Sequence, residues 1–161
     1  MNTLPLLLCA SSFVAALALP SMAFSAATVP VGPFHSIGLT GDAHVVIRYG
    51  TEQRVLLARG STEFTHIVLD EPRSGSLEIE ACRHVCRSDY APVIEITTPE
   101  LEGLAVKGDG KIEVDDTFPQ QGTLAVAVSG DGSINAKGLR ADSIHAAVNG
   151  DGQIISAPAA N

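Results

Sequence analysis

Apolar and polar positions alternate with a period of two over short stretches of this chain. They fall at Ile37–Leu39, Ala43–Tyr49, Val55–Ala58, Ile67–Leu69, Leu77–Ala81 and Val93–Thr97. A period of two turns one side of each stretch toward a core and the other toward solvent, so each predicts a strand. Turn-forming groups separate them: Tyr49-Gly50-Thr51-Glu52, Pro72-Arg73-Ser74-Gly75 and Thr98-Pro99-Glu100. No segment carries its apolar residues at helical spacing, and no linker or low-complexity stretch divides the chain.

The last third repeats one phrase. It reads Val106-Lys107-Gly108-Asp109-Gly110-Lys111-Ile112, then Val128-Ser129-Gly130-Asp131-Gly132-Ser133-Ile134, then Val148-Asn149-Gly150-Asp151-Gly152-Gln153-Ile154. The interval is roughly twenty residues, and the flanks match as well. Leu104, Val126 and Ala146 precede the Val by two places, and Val114, Ala136 and Ser156 follow the Ile by two. Each copy predicts strand, Gly-Asp-Gly turn, strand. One such unit cannot bury its own apolar side, whereas parallel stacking sets Val on Val and Ile on Ile. The expected fold is therefore all-β, a parallel β-solenoid resembling a β-helix, with rungs of about twenty residues. Both glycines of each corner are expected to take positive φ, and the Asp between them to bond the local backbone. A hairpin meander also uses Asp-Gly turns, but it does not require the flanking side chains to match between units.

Composition narrows the partners. The chain has 161 residues, enough for one domain, with 15 Gly, 5 Phe, 2 Tyr and no Trp, so its core must come from aliphatic residues. Lys and Arg total 10 against 18 Asp and Glu, a net charge of −8, the wrong sign for a phosphate backbone or an anionic lipid surface. Nucleic acid is excluded as an expected partner.

Leu4–Leu19 is apolar and uncharged, followed by Pro20 and then Ser21-Met22-Ala23, small residues at the two positions a signal peptidase reads. Residues 1–23 read as a secretory signal peptide cleaved after Ala23, although Met1–Thr3 lacks Lys and Arg. A membrane anchor is the rival reading. The run is shorter than the roughly 18 residues a span needs, and Pro5 and Pro20 bracket it. Cys9 follows Leu6-Leu7-Leu8 rather than a small residue, which argues against lipidation. The expectation is a single domain over 24–161, exported to the periplasm or cell surface, with no membrane span after cleavage. An oxidising compartment predicts a disulfide between Cys82 and Cys86. Residues four apart in a strand lie about 13 Å from each other, beyond the ~7 Å limit for a bridge, so the pair requires a turn. A metal site with His84 as a third ligand is the competing reading.

These residues resemble a bacterial family, the auto-transporter adhesin head domain called the GIN domain. The resemblance covers most of the chain after the signal peptide. It rests on Phe34-x-x-Ile37, Gly41-Asp42-x-x-Val45-x-Ile47, Leu77-x-Ile79 and Thr98-Pro99-x-Leu101-x-x-Leu104, followed by serial Gly-x-Gly-x-Ile turns. Family members usually carry Gly-Ser-Gly there, whereas this chain has Gly-Asp-Gly, which makes the row acidic. The resemblance implies a secreted or envelope solenoid with an adhesin label and brings no catalytic residues.

In a parallel stack Asp109, Asp131 and Asp151 stand about 4.8 Å apart. Such a ladder could hold Ca²⁺, the one cofactor the sequence suggests. The cation takes about six to eight oxygens, however, and one Asp per rung is sparse. Repulsion between neighbours is only about 0.9 kcal/mol in water, so the row also stands without an ion. Turn chemistry is the leading reading. The chain has no Gly-x-Ser-x-Gly elbow, no His-Glu-x-x-His and no phosphate loop. His35, His44, His66, His84 and His145 are scattered, and Glu78, Glu80, Asp115 and Asp116 read as solvated strand or turn positions. We expect a non-enzymatic, adhesin-like binding module whose partner is an envelope protein or a glycan. The alternatives are a small carbohydrate-active enzyme of the β-helix type and a purely structural envelope protein. Ile154 and Ile155 near the last rung also suggest homo-oligomerisation through the solenoid end, unless Pro158 blocks pairing there.

Overall fold

The structure, a computed structural model, describes residues 26–70, 75–83 and 85–157. The signal segment with Ala23, and His84, lie outside the described residues. The described residues form thirteen strands: β1 (Ala27–Val29), β2 (Ser36–Thr40), β3 (His44–Tyr49), β4 (Arg54–Arg59), β5 (His66–Asp70), β6 (Ser76–Glu80), β7 (Val93–Thr98), β8 (Gly103–Lys107), β9 (Lys111–Val114), β10 (Gln120–Ser129), β11 (Ser133–Ala136), β12 (Arg140–Asn149) and β13 (Gln153–Ser156). The all-β expectation holds, but the parallel β-solenoid does not. A seven-stranded sheet has the order β1-β4-β7-β3-β9-β11-β13, and a six-stranded sheet the order β12-β10-β8-β2-β6-β5. Both are mixed: β1–β4, β4–β7 and β5–β6 run antiparallel. Chain order is also broken, because β2 lies between β6 and β8, and β3 between β7 and β9.

Link length explains the departure. A parallel return within one sheet needs a crossover of about a dozen residues or more. The short links from β3 to β4 and from β5 to β6 therefore send the chain back antiparallel within its own sheet. Where the repeat governs, the expected pairing appears. Val128 pairs with Val106 and Val148, and Ile134 with Ile112 and Ile154, all in parallel register. The β2–β3 unit stacks on the first repeat in the same way, Leu39 on Val106 and Val45 on Ile112. Its turn, Gly41-Asp42-Ala43, is thus a fourth member of the set.

The glycines of these turns have two different jobs. Only the first takes positive φ, at 96° in Gly41, 106° in Gly108, 116° in Gly130 and 121° in Gly150. The second is small because the neighbouring layer is close. A Cβ on Gly132 would lie 2.6 Å from both the Gly110 carbonyl oxygen and Val106 Cγ1. Ala43 can replace that second glycine at the start of the series. Between the sheets lies one aliphatic core, including Ile37, Leu39, Val45, Ile47, Leu104, Ile112, Val126 and Ile134, closed by Phe34 and Phe118. Gln53 fastens one corner: its Nε2 donates to the Phe34 carbonyl at 2.6 Å and to Thr98 Oγ1 at 3.0 Å. At the far end the core-facing row of β12 and β13 is less covered, and Val148 is 48% exposed.

The outer face of the seven-stranded sheet is charged. Lys111 Nζ donates to Glu113 Oε2 at 2.9 Å, and His44 Nε2 lies 3.1 Å from the same oxygen. The Lys111 hydrogen bond holds the Glu113 carboxyl below its ordinary value against the opposing effect of burial. Arg48 and Asp115 form a looser pair at 3.7 Å.

Gly132→Ala should lower stability by about 1–3 kcal/mol in a urea titration. Gly122→Ala, with nothing within 4 Å of the added methyl, should be neutral or slightly stabilising in the same urea titration. Glu113 should contribute stability above the ordinary glutamate pKa of about 4.3 and lose it as pH falls through its lower folded value. Lys111→Met should move the Glu113 midpoint up toward the ordinary value in a carboxyl NMR titration.

Candidate functional site

The outward side of the six-stranded sheet is built from the residues that alternate with its core positions. In register across β6, β2, β8, β10 and β12 run Glu78, Gly38, Ala105, Ala127 and Ala147. One flanking row is Ser76, Ser36, Gly103, Ala125 and His145, and the other is Glu80, Thr40, Lys107, Ser129 and Asn149. The middle row is almost without side chains. Two adjoining hollows of about 400 and 420 Å³ therefore open along the face, floored by backbone and methyl groups.

Glu78 closes one end. Ser76 Oγ donates to its Oε1 at 2.9 Å. Its carboxyl lies over Gly38, where a Cβ would come within 2.8 Å of the carboxyl carbon. His145 stands at the other end, four strand steps away, roughly 19 Å, so the two are too far apart to share a proton. The trough offers apolar contact along its floor and hydroxyl, amide, carboxylate and imidazole groups at its margins. An extended ligand can lie against the backbone there.

Of the residues considered from sequence, Glu78, Glu80 and His145 lie on this face, and the turn and disulfide residues lie elsewhere. Gly108, Gly130 and Gly150 stack at one end of the molecule with Gly41, joined by Gly132 N to Gly108 O at 2.8 Å and Gly152 N to Gly130 O at 2.9 Å. Asp109, Asp131 and Asp151 point into solvent. Among the described residues no three His, Cys, Asp or Glu side chains gather to hold a metal ion. Cys82 and Cys86 are bridged, their Cα atoms 6.1 Å apart, in the turn after β6. Asp115 pairs with Arg48, and Asp116 Oδ2 accepts from the Tyr49 amide at 3.2 Å. Sequence reasoning missed the trough. Its signal was present in the repeat, since the place before each repeated Val is Ala, at Ala105, Ala127 and Ala147.

Solved structures share this fold. A "putative adhesin" from Parabacteroides distasonis aligns with a TM-score of 0.57 at 16% identity, over 83% of this chain and 64% of its own. A "putative lipid binding protein" from the same species aligns with a TM-score of 0.54 at 14% identity, over 82% of this chain and 65% of its own. This chain thus spans less than two thirds of either, and at these identities the likeness concerns the fold alone. No curated protein matches. The family described as "Putative auto-transporter adhesin, head GIN domain" matches residues 33–160, and the chain belongs to that family.

Proposed function

We propose that this protein is an exported, non-catalytic binding module of the cell envelope or surface, adhesin-like in action, whose trough receives an extended glycan or a segment of an envelope protein. The observation that carries this reading is the register row Gly38, Ala105, Ala127 and Ala147. Long side chains on that row would fill the hollow. Small ones leave the sheet backbone approachable from Ala105 to Ala147, a line about two strand spacings long, with Gly38 lying under the Glu78 carboxyl. Loss of apolar contact area on a preformed face costs affinity without disturbing the core beneath it. The Gly-Asp-Gly turns serve this reading as architecture, holding the rows in register.

Ala127→Lys fills the centre of the trough from a solvent-facing position. It should change stability by no more than about 0.5 kcal/mol. It should abolish retention of labelled protein on immobilised envelope polysaccharide or envelope protein fractions that hold the wild type, whereas Asp131→Ser at a turn should leave retention unchanged. Equal retention of the Ala127→Lys protein would move the binding surface away from the trough.

A further inference from the structure

The connections from β4 to β5 and from β6 to β7 build a separate hollow of about 460 Å³ beyond the stacked layers. The chain turns at Gly60, whose φ of 127° suits glycine and whose Cβ would meet Pro92 at 2.9 Å. A tight turn follows, with the Phe64 and Thr65 amides both donating to the Ser61 carbonyl, at 3.1 and 2.8 Å. Tyr90 locks onto it. Its hydroxyl accepts from the Ser61 amide at 3.0 Å, donates to the Ser61 carbonyl at 3.2 Å and shares a 2.7 Å hydrogen bond with buried Thr65. The Phe64 and Tyr90 rings meet edge to face, centroids 5.7 Å apart. The disulfide turn braces the group, since the Arg83 amide donates to the Phe64 carbonyl at 3.0 Å. With its hydroxyl engaged on the protein, Tyr90 offers the hollow its ring.

Charge selects the occupant. Arg59 donates through Nη2 to the Ala91 carbonyl at 3.2 Å, one of the five N–H donors of a guanidinium. Asp89 lies on the same hollow, its Oδ1 3.3 Å from the exposed Arg87 Nε. The lining carries one cation, Arg59, and one anion, Asp89, with Arg87 just outside it paired to Asp89. A lipid tail would strand the charges of the lining without water. A neutral pyranose satisfies all the groups, with its C–H face on an aromatic ring, one hydroxyl accepting from a guanidinium and another donating to a carboxylate.

We propose that the hollow between Arg59, Phe64, Asp89 and Tyr90 is a binding site for one neutral pyranose unit, separate from the trough. Titration of the ¹⁵N-labelled protein with methyl β-D-glucopyranoside and methyl β-D-galactopyranoside tests it. At least one should give saturable shifts at the Gly60, Ser61, Tyr90 and Ala91 amides, with a dissociation constant on the order of 1 mM, as suits a small ligand. Asp89→Asn and Arg59→Gln, both surface changes verified by an otherwise unchanged spectrum, should each weaken binding roughly tenfold. Glucuronate should bind more weakly than the neutral sugar. Absence of saturable shifts at these amides with either glycoside overturns the site, as does undiminished binding by Asp89→Asn. Shifts confined to Ala105 and Ala127 also overturn it, while leaving the trough as the sugar-binding surface.

Discussion

The backbone ladder that runs through the stacked turns holds the rest of this structure in place. Each turn joins a strand of one sheet to a strand of the other, so fixing one turn on the next sets register in both sheets together. The bonds run both ways. The Gly41, Gly108 and Gly130 amides donate to Lys107, Ser129 and Asn149 of the next layer at 2.8 Å. The Lys111, Gly132 and Gly152 amides donate back to the preceding layer at 2.8, 2.8 and 2.9 Å. A slip of one residue would turn every core side chain out to solvent, and the Gly-Asp-Gly spacing prevents it. The trough depends on the same register, since only in-register layers set Gly38, Ala105, Ala127 and Ala147 in one line.

Much of this was legible in the sequence because identical phrases pair with themselves. Val106, Val128 and Val148 stack as their repeated positions require, as do Ile112, Ile134 and Ile154. The β2–β3 unit was harder to place, since Ala43 breaks the phrase and Leu39 and Val45 replace its Val and Ile. A period of two says which side of a strand is buried, yet says nothing of its neighbour or direction. That gap produced the solenoid expectation, which the antiparallel β4 and β5 overturn. The second glycine was misread for a related reason. Close contact with another layer leaves no mark on the local sequence, whereas positive φ and packing space both select Gly.

The trough and the loop hollow were hidden for opposite reasons. Alanine and glycine on an outward row look like absence of information, and only the register shows that they line up. Phe64 and Tyr90 are conspicuous in a chain with so few aromatic residues, but their meeting depends on two connections far apart in sequence. By contrast, Cys82 and Cys86 could be paired from spacing and compartment, because a bridge over four residues forces a turn whatever surrounds it. Membership in the adhesin head family gives a context for binding, while the choice of ligand rests on the side chains of these two surfaces.

If the turn ladder holds the register, its amides must be among the last to open. Native-state hydrogen exchange reads this directly, residue by residue. The Gly108, Gly130 and Gly132 amides should be protected to the same level as those of Val126 and Ile134 in the core strands. Exchange at these turn glycines as fast as in an open loop, with the strands still protected, would contradict the account and place the register in the strands alone.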